Sequence, residues 1–425
     1  MGDHIVDVET SIQLELDSLV QYSSKHWIQK VPEYISKVKK QCYEPSIVSI
    51  GPLHYNNPTL KPFDETKLRS LQYFLENANS DHSLAQYIDI IRGSEEKIRS
   101  YYTDKITLES DEFIKMVMVD STFIIVFFMH CSHQFSLKPI HPMENKLGVV
   151  NQVKKDLLLG ENQLPYFILQ DLYDKAFGET CPKITFKNLT CDFLSFIYLP
   201  ASEVVGKIGR EKIKNASNIK HLVDFYRICC LPTKHRDQLP ENYRNSDKFP
   251  PTAKELKAAG VKFTASDGKN LLDIVFSDGV LHIPSVKIQN STEAIVRNIM
   301  FFEQCFHSMD SYFVDYVLFL DTLIDTPEDV HILIEAKIIK NCLGSIDDMA
   351  ATFFNQATKH VALTSRFYYA NVGNDLNAHV SKRWNRYKAA LRRDYFNHPW
   401  SIMSLIYLMM LLILTVLQVY TGFVH

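Results

Sequence analysis

The side chains best able to do chemistry here are histidines and carboxylates scattered among apolar runs. His130 and His133 stand three apart in HCSH, with Cys131 between them. That spacing could begin a metal site, but a closed site needs further nitrogen or sulfur ligands and none lies nearby, so no metal is expected. The eight cysteines are scattered without a C-x-x-C pair and read as reduced thiols. His54, in GPLHY, is of a residue type that serves as acid or base in enzymes; a lone histidine in a Gly-Pro turn reads first as structural. Glu293 and Arg297, four apart, form a helical ion pair, and Glu303 follows on the same stretch. No P-loop, G-x-S-x-G, H-E-x-x-H or dinucleotide fingerprint occurs. The common motif-borne hydrolase, NTPase, zinc-protease and dehydrogenase chemistries therefore have no support. The expectation is a protein without catalytic residues, metal or cofactor; the alternative is an enzyme with a dispersed site drawn from His54, Asp120, Glu161 and Glu303.

The stretch DLLLGENQLPYFIL sets Glu161, Asn162, Gln163 and Pro165 between leucines. Pro165 cannot donate to a carbonyl four residues back, and it biases its predecessor away from helix, so the helix before it must break. A break between two apolar helices exposes carbonyls and amides inside the protein, and a carboxylate and two amides are suited to satisfy them. The stretch is read as a buried polar joint rather than a reactive loop.

Around this joint, helical apolar spacing runs through 12–27, 65–78, 83–102, 112–129 and 148–159, with 46–49 at most a short strand. Residues of about 201–251 read as a loop-rich insertion in which only IKHLVDFYRICCLP looks helical. VKFT, LLDIVF and VLHIPSVKI, separated by turn residues, predict a small antiparallel β meander at about 261–288. Helix starts are marked by Asn290 with Glu293, by Thr326-Pro327-Glu328-Asp329, and by Ser345 with Asp348. The fold class is mainly α with that small meander, α+β: one large, soluble, mostly helical domain over 1–395 and a membrane anchor over 396–425.

The anchor rests on SIMSLIYLMMLLILTVLQVY, an uncharged apolar run that as a helix spans ~30 Å, the thickness of a bilayer's hydrocarbon core. Trp400 and Tyr420 bracket a span of about 400–420 as interfacial aromatics. The shorter apolar stretch 116–129 carries Asp120 and reads as a core helix instead. Before the span, a stem carries Lys382, Arg383, Arg386, Lys388, Arg392 and Arg393, which puts it on the cytosolic side. The first residues lack a secretory signal, so the bulk of the chain is expected in the cytosol of a single-pass, tail-anchored protein, with the plasma membrane the favoured location. A net charge of −3 gives no general attraction for nucleic acid. The expected partners are membrane lipid, through the span and stem, and a protein.

Seven segments in order, KVPEYI with YEPSIVSIGPLH, MVMVDSTFI, DLLLGENQLPYFIL, KELKAAGVKF with LLDIVFSDGVLHIP, TEAIVRNIMFFEQC, DTLIDTPEDVHIL with LGSIDDMAATFFN, and RWNRYKAALRRDYFNHPW, give the chain a resemblance to the plant family named domain of unknown function 247 over almost its whole length. The resemblance implies a plant membrane-associated protein without an established enzymatic activity, in a family whose best understood members act in pollen-side self-incompatibility, a recognition and signalling role. The chain departs from the family's pattern. Asp120-Ser121-Thr122-Phe123 and Val126 stand where relatives have Asp-Gly-Cys-Phe and then a glutamate. Gln170 replaces a glutamate after the joint, and Gly160 a leucine before it. Any chemistry those acids did in relatives would be lost here. A recognition or signalling interaction module is the function expected, with a structural membrane tether as a further alternative.

Overall fold

A 22-residue helix, Ser110–Cys131, opens with Asp111 and Glu112, acids that favour a helix start, and is then almost uniformly apolar. The computed structural model describes residues 3–18, 26–132, 134–135, 147–195, 209–235, 249–266, 270–341, 347–359, 361, 367–382 and 399–424. Among these, this helix has the length and composition to cross a membrane, yet 83% of its most apolar window is buried, so it is the core helix that Asp120 suggested.

Two compact units form, residues Met1–Phe193 with Ala216–Phe225, and Leu194–Asn215 with Tyr226–His425. The first holds α1 (Asp3–Ser18), α2 (Glu33–Ser36), α3 (Asp64–Asn77), α4 (Leu84–Gly93), α5 (Glu95–Arg99), α6 (Ser110–Cys131), α7 (Leu147–Asp156), α8 (Tyr166–Phe177) and most of α9 (Phe186–Ser195). Helix α6 packs on α3, α4 and α8. Its Phe128 stacks on Phe193 with ring centroids 4.3 Å apart, and Phe123 meets Phe63 edge-on at 5.5 Å. Such aromatic pairs add to the stabilisation gained by burying the rings. The expected helix over 83–102 is interrupted at Ser94, between α4 and α5.

The second unit contains α10 (Gly209–Asn215), the later turns of α11 (Leu222–Cys230), α12 (Ala253–Ala258), β1 (Lys262–Ser266), β2 (Val275–Ser277), β3 (Val280–Pro284), β4 (Val286–Ile288), α13 (Thr292–Phe306), α14 (Tyr312–Leu323), α15 (Pro327–Glu335), β5 (Ile339–Asn341), α16 (Asp347–Ala357), α17 (Ala370–Ser381) and α18 (Pro399–Val424). Helix α10 is an element that the loop-rich reading of 201–251 did not anticipate.

The antiparallel meander is corrected. Strands β2 and β3 form the expected hairpin about Asp278 and Gly279, both at positive φ, but β1 pairs with β3 in parallel, giving the order β1-β3-β2. A separate two-stranded parallel pair joins β4 to β5. Alternating apolar residues say which face of a strand is buried and nothing about its direction. Here Leu281 and Ile283 of the central β3 are buried, and either direction of β1 would allow that.

The helix starts divide. The Asp329 carboxylate accepts the Thr326 amide at 2.9 Å and hydroxyl at 2.8 Å, and also the Lys254 amide at 2.8 Å, so one buried acid caps both α15 and α12. The start expected at Asn290 lies two residues on: α13 begins at Thr292, whose hydroxyl accepts the Gln289 amide at 2.9 Å, and Glu293 turns to Arg297 instead of closing a box. Ser345 lies outside the described residues. Helix α18 spans 26 residues, and its described apolar side chains at Met403, Ile406 to Leu414 and Leu417 are exposed.

Candidate functional site

Helix α7 ends at Asp156, and three buried leucines, Leu157 to Leu159, lead into the joint. Pro165, in an extended conformation, precedes α8. The carbonyls stranded by the break are met from within: Asn162 Nδ2 donates to Asp156 O at 2.9 Å, and Gln163 Nε2 donates to Leu157 O at 2.8 Å and Leu159 O at 2.9 Å. Gln163 Oε1 reaches out to accept the Leu222 amide at 2.9 Å, at the start of α11. Glu161, Asn162 and Gln163 are all buried.

The joint also grips a distant piece of chain. Residues 46–51 run without helix or ladder partners, and side chains supply their hydrogen bonds. The Asp156 carboxylate accepts the amides of Ser46, Ile47 and Val48 at 3.0, 2.7 and 3.2 Å. Asn162 Oδ1 accepts the Ile50 amide at 2.7 Å, while its Nδ2 donates to Val48 O at 3.0 Å. The Gly51 amide donates to Asp120 Oδ2 at 2.8 Å. Lys67 Nζ bridges Ser49 O at 3.0 Å and Asp120 Oδ1 at 2.8 Å. Gly51 sits at φ +74°, and a Cβ there would lie 2.6 Å from the Gln163 carbonyl oxygen, so the close approach of segment and joint requires glycine. Glu161 completes the arrangement, accepting the Val31 amide at 2.7 Å and pairing with His54 Nε2 at 2.8 Å.

These acids lie out of water. Burial pushes the Asp120 carboxyl above the ordinary aspartate value, with Lys67 and the Gly51 amide pulling it back. For Lys67 burial acts downward, and Asp120 with Asp64 more than reverses it, leaving the ammonium a weaker acid than that of a free lysine. The two groups face each other as a buried pair 2.8 Å apart. Asp156 is likewise raised by burial and pulled back by its amides.

His54, Asp120 and Glu161 are therefore brought to one segment, each engaged in holding it, whereas Glu303 belongs to the other unit. There Glu303, fully buried, pairs with Arg227 Nε at 2.8 Å and accepts the Phe313 and Val314 amides at 2.9 and 3.0 Å, capping α14. Burial pushes its carboxyl up to about 7, against Arg227 and the Val314 amide. Glu293 and Arg297 meet at 3.0 Å, and Arg297 also donates to Gln356 O at 3.0 Å. His130 Nδ1 bonds to Val126 O at 3.0 Å within α6, and Cys131 is half-buried. His133 lies outside the described residues, among which no three histidines, cysteines or acids are placed to share an ion. Lys382 is exposed. Arg383, Arg386, Lys388, Arg392 and Arg393 lie outside the described residues, as do the side chains of Trp400 and Tyr420.

Sequence reasoning passed over Asp156 and Lys67. Both left a signal. Asp156 is an acid at a helix C-terminus, where the macrodipole favours a base. Lys67 shares the buried face of α3 with Ser70 and Phe74, and a lysine on such a face asks for a buried acid.

These features define a mainly helical protein whose buried acids close on peptide groups and helix ends. The chain belongs to the plant family named domain of unknown function 247: the family model, described as a plant protein of unknown function, matches residues 28–414. It is similar to the UPF0481 protein At3g47200 of Arabidopsis thaliana, 29% identical over 414 residues that cover 92% of this chain and 84% of that one. It is also similar to the putative UPF0481 protein At3g02645 of the same plant, 22% identical over 506 residues covering 98% and 94%. No solved structure matches the chain. No activity is established for the family.

Asn162→Leu should destabilise the protein by on the order of 3 kcal/mol, since it strands the Ile50 amide and the Val48 and Asp156 carbonyls together; thermal melting of the full chain in detergent measures it, and an unchanged melt rules the clamp out as a stabilising element. Lys67→Met or Asp120→Leu alone should cost about 3–5 kcal/mol, and the double variant less than the sum, because a single change leaves a buried charge unpaired. A folded-state pKa of about 7 for Glu303 lies above the ordinary 4.5, so its contribution to stability is fully present below about pH 4.5 and is lost as pH rises through about 7. Melting temperature should accordingly fall between pH 5 and 7.5 on this account, and Glu303→Gln should flatten that fall; an identical pH profile in the variant would refute the assignment.

Proposed function

We propose that this chain is a membrane-anchored recognition module, in which α18 lies in a bilayer and the helical body presents a surface to another protein in signalling. The observation that carries this is α18 itself. As a helix its 26 residues extend ~39 Å, and every described side chain from Ile406 to Leu414 is apolar and exposed, an arrangement suited to hydrocarbon and costly in water. The stem cations from Lys382 to Arg393 favour a cytosolic body held near anionic lipid. A non-catalytic reading is supported by the employment of the available acids: Asp120, Asp156 and Glu161 hold backbone amides, and Glu303 caps a helix elsewhere.

The sequons at Asn188, Asn215 and Asn290 report the orientation. In the folded chain Thr190 and Thr292 of two of them are buried, while Asn215 and Ser217 are exposed, which makes Asn215 the most accessible reporter. In plant cells the full chain should stay with membranes through alkaline carbonate extraction and carry no endoglycosidase-sensitive sugar at Asn215. Release by carbonate would remove the anchor, and a glycan at Asn215 would put the body on the opposite side.

A further inference from the structure

The described side chains of helix α1 are all exposed. From residue 8 to 14, and again at 16, every side chain is exposed, including Val8 at 58%, Ile12 at 52%, Leu14 at 66% and Leu16 at 52%. Val8, Ile12 and Leu16 recur every four residues and so share one stripe. At 16 residues the helix is barely longer than the ~12–15 below which even alanine-rich helices are marginal in water, and it contains no alanine and several β-branched residues. Its own propensity does not account for it, and the stripe supplies what is missing only when another surface buries it.

The charges choose that surface. Asp3, Asp7, Glu9, Glu15 and Asp17 stand on α1, with no lysine or arginine. An anionic membrane surface, where the proposed anchor holds the body, repels such a helix. A second copy of α1 would set acid against acid along the seam, without the opposite charges that specify coiled-coil pairing. We infer that α1 is a docking helix, whose Val8–Ile12–Leu16 stripe seats in an apolar groove of a different protein rimmed with lysine and arginine. The helix-in-groove mode needs just these parts: apolar anchors one turn apart for affinity and flanking charge for specificity and rate. This rests on the reading of the chain as an interaction module and names the element that makes the contact.

The test places a photo-cross-linking amino acid at Ile12 of the full chain in plant cells that also carry a proximity-labelling enzyme fused to the same chain. Irradiation should yield an adduct with a distinct protein, cross-linked at apolar residues bordered by lysine or arginine. Its yield in isolated membranes should fall at least about threefold when salt is raised from physiological to about 0.5 M. Glu9→Lys with Glu15→Lys should abolish it. An adduct with a second copy, with lipid or with this chain's own residues, or one insensitive to charge reversal, overturns the inference. Reproducible labelled neighbours without any adduct at Ile12 also overturn it but leave the module reading standing; absence of both neighbours and adduct removes the two together.

Discussion

The first unit depends on how six consecutive residues, 46–51, satisfy their peptide groups. Residues 48–51 are buried, Ile47 is half-buried and Ser46 exposed, and among the described residues it is side chains that accept the amides of 46, 47, 48, 50 and 51. An unpaired buried amide costs as much as a lost hydrogen bond, so the segment can lie in the core only if acceptors are brought to it. They come from the end of α7, from the joint that follows it and from the middle of α6: Asp156, Asn162 and Asp120. Each acceptor needs its own support in turn. Asp120 as an ion needs Lys67, and the close approach of the segment to Gln163 needs Gly51. Removing any member leaves another buried group without its partner, so the set is held together or lost together.

Much of this was legible as local chemistry and little as geometry. The break before Pro165 follows from the missing donor, and polar residues within an apolar stretch signal groups that must be satisfied. What Glu161, Asn162 and Gln163 would grasp was not legible, because their partners at Val31, Ile50 and Leu222 are between 59 and 130 residues away in sequence. The core helix declared itself through Asp120 and not through length, since at 22 residues it is long enough to cross a bilayer. Thr326-Pro327-Glu328-Asp329 marked the start of α15, since caps are short-range. Asn290 with Glu293 offered the same spacing and failed, because Arg297 one turn on competes for the carboxylate and Thr292 supplies the hydroxyl. The parallel pairing of β1 with β3 could not be read, since burial alternates identically in either direction.

Buried acids with raised pKa are commonly candidates for general acids or bases. In both units of this protein they hold backbone amides. Asp156 receives three successive amides, and Glu303 receives two at the start of α14 while balancing Arg227. Helix starts and extended turns concentrate unpaired donors, and a carboxylate meets several at once at the cost of its own dehydration. A perturbed pKa here accompanies an architectural role.

The grip on 46–51 has an evolutionary corollary. Asp156, Asn162, Asp120 and Lys67 bind peptide N–H and C=O groups, which every ordinary residue carries alike. The segment is thus specified by its backbone: its side chains are free to change size within the space available, while proline, which has no amide hydrogen, is barred from 46, 47, 48 and 50, and at 51 only glycine suits. A lineage could therefore alter the half-buried Ile47 more freely than Val48 and Ile50, which the core packs on all sides, and keep the same fold, provided the donors and the one left-handed turn are kept.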